Sequence, residues 1–414
     1  MRVLITGGGT GGHVFPGLAV AEALRRSMPE VEILFVGGRR GIETKVVPEA
    51  GLPFRAIPAR GLLGRKLLAM PAVIGTTLHG LVMSLGILRR FRPDVVFATG
   101  GYVSGPVAIA GGLLGKPLIL HEQNSVPGLT NRFLARIAQE VHLNDPAARR
   151  HFARRSHLKL SGNPIRPDVL RGNRPRALRH YDLRRDATTI LVLGGSQGAR
   201  SINRAAVGAV RRLASQRSDL QWILQTGRRD FRWVSRRLRD MAPRVRVCSF
   251  ISEMGDAYAV ADLVVCRAGA MTLAEVAVCG KAAILVPYPY AARDHQTGNA
   301  KSFVEVGSAV MIPDRRLHGK RLASEIAKVI DTPRKLREMS SNALLKARPR
   351  AAEKIAAALA RFGPGNGVEE DVGERDRERD REQRAGAGRR EGRREGPREG
   401  RREGPREGPR RGRR

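Results

Sequence analysis

Cysteine is scarce in this chain. Cys248, Cys266 and Cys279 are the only three, an odd number with no CxxC pair among them. That argues against a disulfide framework or a zinc site and fits a reducing compartment. Cys266 and Cys279 lie in apolar stretches and read as small core residues. Aromatic residues make up only 4%, too few for the base-stacking platforms of a nucleic-acid binder. No acidic cluster has metal-ligand spacing, and no DxD-type motif occurs. The first six residues form an apolar run leading directly into glycines, without a basic segment or cleavage site, so no secretory leader is expected.

Acidic residues are also in deficit, at 39 against 75 Lys and Arg, a formal charge of +36. The segment from Gly363 onward carries 17 Arg and 13 acids, so +32 of that charge precedes it. A field of that size suits an anionic membrane or a polyphosphate ligand. From Gly363 aliphatic residues nearly vanish and the octapeptide RREGPREG occurs twice, at 393–400 and 401–408. Such a tail has nothing to bury and is expected to be disordered.

The remaining chain alternates short aliphatic runs with helical patterns. Strands are expected at 3–6, 33–36, 95–98 and 118–120, and an amphipathic helix over 16–26 with Pro16 at its start. The pattern restarts after Gly162, with strands at 189–193, 222–225, 245–250, 263–266 and 283–286 and a helix over 199–213. Two successive α/β units predict two doubly wound, Rossmann-like domains with a cleft between them, joined near 162–167. The expected bounds are 1–162, 163–344, a helix in 345–362 and the tail over 363–414. Residues 67–88 are long and apolar enough for a membrane span, but Pro71, three glycines and polar residues favour a buried or surface-lying helix. Arg65, Lys66, Arg89, Arg90 and Arg92 flank it and suit contact with anionic lipid.

Three glycine loops follow strands: Gly7 to Gly12, Gly100 to Gly105, and Gly194 to Gly198. Glycine lets backbone amides approach an anion, and a helix N-terminus adds partial positive charge. The first loop also matches GxGxxG. No acid ends the second strand, where Arg39 and Arg40 stand instead, so an NADP site stays open on this ground. Recurrence of the loops across both units favours a ligand with several phosphates, or two phosphorylated ligands. His13, at the mouth of the first loop, is the first candidate for a general base, because a helix N-terminus disfavours the imidazolium. Glu122 and Asp294 are its rivals.

GGTGGHVFPGLAVAEAL at 8–24, GGYVSGP at 100–106, HEQN at 121–124, GNPIR at 162–166, GGSQGA at 194–199, the block at 267–289 and DHQTGNA at 294–300 together resemble one family over about residues 1 to 360. That family is MurG, the UDP-N-acetylglucosamine:lipid I N-acetylglucosaminyltransferases. The resemblance implies a GT-B fold, with the last helix crossing back to the first domain. It implies inverting transfer of N-acetylglucosamine to lipid I without metal or cofactor, at the cytoplasmic face of the inner membrane. The partners it implies are UDP-GlcNAc, lipid I, anionic phospholipid, and cell-wall synthesis and division proteins, with no nucleic acid.

By matching positions, Glu275 would hold the ribose hydroxyls and the main chain at Ile251 the uracil. Ser196 with the amides near Ala270, Met271 and Thr272 would hold the diphosphate, and Arg166 would stabilise the leaving UDP. Gln296 and Asn124 would bind the sugar, while Thr10, Gly11 and Gly12 close over it. Gly8, Gly9, Gly101, Tyr102 and Ser104 are candidates for the acceptor diphosphate. A UDP-GlcNAc 2-epimerase or a lipid galactosyltransferase would share the fold. The first would leave the first-domain glycine loops unexplained, and the second the HEQN and GGYVSGP blocks.

Overall fold

The computed structural model describes residues 1–61, 70–153, 157–195 and 197–364. Ser196, Arg65, Lys66 and the repeat-bearing tail beyond residue 364 lie outside the described residues. Runs of aliphatic residues with no polar face make strands that must be covered on both sides, which is what a parallel sheet provides. Among the described residues the first half forms a seven-stranded parallel sheet in the order β3-β2-β1-β4-β5-β6-β7. Its strands are β1 (Arg2–Thr6), β2 (Glu32–Gly38), β3 (Phe54–Ile57), β4 (Val95–Ala98), β5 (Leu118–Glu122), β6 (Glu140–Leu143) and β7 (Leu158–Leu160). The second half forms a six-stranded sheet in the order β10-β9-β8-β11-β12-β13. These strands are β8 (Thr188–Leu193), β9 (Leu220–Gln225), β10 (Val245–Cys248), β11 (Leu263–Cys266), β12 (Ala282–Leu285) and β13 (Ala309–Met311).

In each sheet the strand order reverses once, between β1 and β4 and between β8 and β11. Loops leaving the carboxyl ends of strands at such a point frame a crevice. The first crevice is framed by the loop at Gly7 to Thr10 and the turn after Ala98, the second by the loop from Gly194 and the turn after Cys266.

Two elements depart from expectation. The helix predicted at residue 16 begins at Gly11 and runs to Ser27, with Pro16 inside it. Five further residues are recruited because the glycine loop leads into the helix without a break. Nor is that helix amphipathic: Val14, Ala19, Val20, Ala21, Ala23 and Leu24 are all buried. Its outer side is covered by the last helix, Ala351–Ala360, whose Ile355 and Leu359 join a core with Val3, Ile5 and Val20. Fully burying those two side chains contributes roughly 1.5–3 kcal/mol each. Strand β10 stops at Cys248 rather than at Phe250, which is 57% exposed.

The helix Met70–Phe91 packs against the helix Ser104–Leu113 and against β3. By length and composition alone its Pro71–Phe91 part is long and apolar enough to cross a membrane. On its outer side Ile74, Leu78 and Val82, one helical turn apart, are 54%, 57% and 67% exposed. Arg89, Arg90 and Arg92 at its end are exposed as well.

Candidate active site

The carboxyl edges of the two sheets meet through hydrogen bonds between the halves. Asn299, in the helix His295–Glu305, accepts from Ser125 N and Oγ at 2.9 and 3.0 Å and donates to Asn124 Oδ1 at 3.2 Å. Asn163, in the linker, donates to Ala270 O at 3.0 Å and to Gln123 O at 3.3 Å. Beside these contacts lies a cavity of about 410 Å³ lined by His13, Tyr102, Glu122 and Asn124 from one half and Arg293 and His295 from the other.

His13 is the third residue of the helix Gly11–Ser27, whose N-cap Thr10 makes no side-chain cap. Gly100 and Gly101 bend the chain around it with φ of 100° and 82°. A Cβ at Gly100 would stand 3.1 Å from His13 Nδ1, and one at Gly101 would stand 2.4 Å from Gly8 O, so only glycine lets the two loops close on the ring. Nδ1 lies 3.1 Å from Thr99 O and 3.2 Å from Gln123 Oε1. Burial pushes the His13 pKa below the ordinary histidine range, with these hydrogen bonds opposing and His295 adding to the shift. A neutral imidazole results.

The rival bases are placed differently. Glu122 is buried, and its carboxylate accepts from Asn124 N, Asn124 Nδ2, Gly128 N and Asn131 Nδ2 at 2.8–3.2 Å. Burial raises its pKa and these donors oppose the rise. Both of its oxygens are thus engaged by the loop after β5 and its neighbour Asn131. Asp294 is exposed, in the left-handed region at φ 53°, and accepts from Thr297 Oγ1 at 2.6 Å.

Several of the other expected groups already have partners within the protein. Gly9 N donates to Glu43 Oε1 at 3.2 Å, as does Gly38 N. Gly8 packs on the same carboxylate, which a Cβ there would meet at 2.6 Å. Ser104 is buried, and its hydroxyl donates to Gly100 O at 2.7 Å and Thr6 O at 3.2 Å. At Ile251 the N–H is taken by Gln225 Oε1 at 3.0 Å, and Gln225 Nε2 in turn donates to Gly195 O at 3.1 Å. Gly101 and Tyr102 do border the cavity.

In the second half the helix Ala270–Val278 opens at Ala270, Met271 and Thr272 with no side-chain cap, leaving its positive end toward the linker. Glu275 lies in its second turn. Burial pushes its pKa up to about 7, offset in part by the Arg166 charge and by Tyr258, whose hydroxyl donates to Glu275 Oε2 at 3.0 Å. Arg166 sits over the Phe15 ring at 5.9 Å, between Glu275 and the first half. Gln296 Oε1 accepts from Tyr288 N at 3.0 Å.

Of the expected site residues, His13, Gly101, Tyr102 and Asn124 border the cavity, whereas Arg166, Ala270, Met271, Thr272, Glu275 and Gln296 belong to the linker and the second half and do not line it. Sequence reasoning gave no role to Gln123, Tyr258, His295 or Asn299. His295 and Asn299 lie inside the DHQTGNA block, and Gln123 inside HEQN, so the signal was present at motif level.

Residues 3–143 match the glycosyltransferase family 28 N-terminal domain and residues 189–355 the family 28 C-terminal domain. A protein of Thermodesulfovibrio yellowstonii named UDP-N-acetylglucosamine--N-acetylmuramyl-(pentapeptide) pyrophosphoryl-undecaprenol N-acetylglucosamine transferase is 43% identical over 355 residues, covering 86% of this chain and 97% of the relative. The crystal structure of Acinetobacter baumannii MurG superposes with a TM-score of 0.70 at 29% identity, over 87% of this chain and 99% of that one. A UDP-GlcNAc 2-epimerase from Neisseria meningitidis superposes at 0.60 over 87% of this chain and 100% of that one, but at 11% identity shares the fold alone. With both family domains matched and 43% identity sustained over nearly the whole of a curated relative, the chain belongs to the MurG family of glycosyltransferases.

Proposed function

We propose that the chain transfers N-acetylglucosamine from UDP-N-acetylglucosamine to the 4-hydroxyl of the N-acetylmuramyl unit in undecaprenyl-pyrophosphoryl-N-acetylmuramyl-pentapeptide, with inversion at the anomeric carbon. The observation that carries the chemistry is a neutral His13 lining a cavity shared by both halves, with the uncapped helix at Ala270 in the opposite half. The acceptor oxygen attacks C1, the bond from C1 to the diphosphate oxygen breaks, and its electron pair leaves with UDP. The hydroxyl proton passes to His13. Charge growing on the diphosphate is met by the amides at Ala270 to Thr272 and by Arg166. Glu275 accepts from the ribose hydroxyls, and Asn124 and Gln296 orient the sugar.

On this reading residues 1–162 take the acceptor and residues 163–344 the donor. The cavity runs from His13 past Pro106 and Ile109 to Thr77 on the helix Met70–Phe91. An acceptor anchored by a polyprenyl chain would enter from that side. The apolar row at Ile74, Leu78 and Val82, with the arginines at 89, 90 and 92, would rest on anionic phospholipid at the cytoplasmic face of the inner membrane. The test is transfer of labelled N-acetylglucosamine to a lipid I analogue with EDTA present. A β-1,4-linked disaccharide product is expected. Acceptor-independent conversion of the UDP-sugar to its 2-epimer, with no transfer, would overturn the reading.

A further inference from the structure

The histidine read above as general base has two ring nitrogens, and only an unprotonated nitrogen facing the cavity can accept the acceptor's proton. Which nitrogen carries the hydrogen is set from behind, through a chain of contacts that starts at a group with no ambiguity. Gly162 O, a backbone carbonyl, can only accept, and His121 Nε2 lies 3.0 Å from it. The hydrogen of His121 is therefore on Nε2. His121 is fully buried, and burial pushes its pKa down to about 3, so its Nδ1 is bare.

A bare Nδ1 needs a donor, and Gln123 Nε2 stands 3.1 Å away. The second hydrogen of that amide goes to Thr99 O at 2.6 Å. Turning the amide over would set its oxygen 2.6 Å from Thr99 O and, at the same time, against the lone pair of His121 Nδ1, so its orientation is determined. Gln123 Oε1 then faces His13 Nδ1 at 3.2 Å, and Thr99 O faces the same nitrogen at 3.1 Å. Both are acceptors, so His13 carries its hydrogen on Nδ1 and Nε2 is left with a lone pair.

We infer that Gln123 and His121 are positioning residues that hold His13 in the Nδ1–H tautomer, referenced to the Gly162 carbonyl in the crossover between the two halves. The anchor is itself tightly placed. Gly162 has φ 93°, and a Cβ there would stand 2.2 Å from Arg348 Cβ, on the second crossover. Its neighbour Asn163 ties Gln123 O to Ala270 O, the first residue of the helix assigned to the donor diphosphate. The relay that orients the base and the helix that faces the leaving group thus share one two-residue fastening. Catalytic histidines commonly depend on such a partner at the nitrogen away from the reaction.

The inference rests on His13 being the base, and the experiment separates the two claims. In the full chain, kcat and donor KM are measured for His13→Ala, Gln123→Met and the double variant. Gln123→Met should lower kcat roughly ten-fold, the worth of one lost hydrogen bond, since Thr99 O still holds Nδ1. Donor KM should change by less than about two-fold, and the double variant should be no slower than His13→Ala alone, because both act through one ring. Full turnover in Gln123→Met, or an additive loss in the double variant, overturns the relay while leaving the base in place. An unchanged kcat in His13→Ala overturns the base and the relay with it. Nitrogen-15 spectra of histidine-labelled wild-type protein at neutral pH require no fold-sensitive substitution. His13 should show a protonated Nδ1 and a bare Nε2, and the reverse tautomer contradicts the inference.

Discussion

At the strand-order reversal of the first half, the glycine loop after β1 is occupied from within. Glu43 takes the Gly9 and Gly38 amides, Tyr102 covers Gly9, and the helix that follows brings a histidine into its first turn. At the same point of the second half, the helix after β11 begins without a side-chain cap and brings Glu275 one turn further in. Both helices begin without a side-chain cap, but on the proposed reading they do different work, the first carrying the base behind a self-filled loop and the second presenting its end to the diphosphate.

If this division is right, substitutions in the two halves should separate cleanly in their kinetics. The largest effect is expected from His13→Ala, a fall in kcat of about 10²–10⁴-fold with donor KM retained. Glu275→Ala should act the other way, raising donor KM roughly 10- to 150-fold with kcat less affected. Because the carboxylate form accepts from the ribose and its pKa stands near 7, wild-type donor KM should rise as pH falls below that value. The same raised pKa makes the free protein lose stability as pH climbs from the ordinary glutamate range toward 7, since the folded state holds the proton more tightly than the unfolded one there. Glu275→Gln should therefore raise Tm at pH 8 and leave it unchanged at pH 4, measured by calorimetry without ligand.

The apolar helix sharpens the comparison, because it belongs to the first half alone. Replacing Arg89, Arg90 and Arg92 by Gln should weaken partitioning onto anionic liposomes on the order of a hundred-fold, while turnover of a short-chain soluble acceptor persists. The smallest effect is expected at Tyr258→Phe, which removes one donor from Glu275 and should raise donor KM about two- to ten-fold. A change in kcat with that variant would place Tyr258 outside the donor half's work.

Much of this architecture was legible in the sequence. The aliphatic runs at 95–98 and 263–266 became strands with those same bounds, since strands buried on both faces favour unbroken aliphatic runs. Strands β6 and β7 were not legible: four and three residues long and carrying Glu140, His142 and Lys159, they offer no period to read. At the site, the motif blocks marked which segments converge but not what each atom does there. Gly9 meets Glu43 across 34 residues, Ile251 meets Gln225 across 26, and Gln123 meets His13 across 110. Partners that far apart leave no local signal. At Ser104 the partner is local instead, its hydroxyl bonding four residues back, to Gly100 O, as serines in helices do.

The division of labour between the halves is tested most directly by titrating UDP-N-acetylglucosamine into the His13→Ala and Glu275→Ala variants by calorimetry. Wild-type Kd in a His13→Ala protein that no longer turns over, beside a weakened Kd in Glu275→Ala, is the predicted result. A Kd in His13→Ala weakened in proportion to its lost turnover would contradict it, and would make His13 a donor ligand instead of the base.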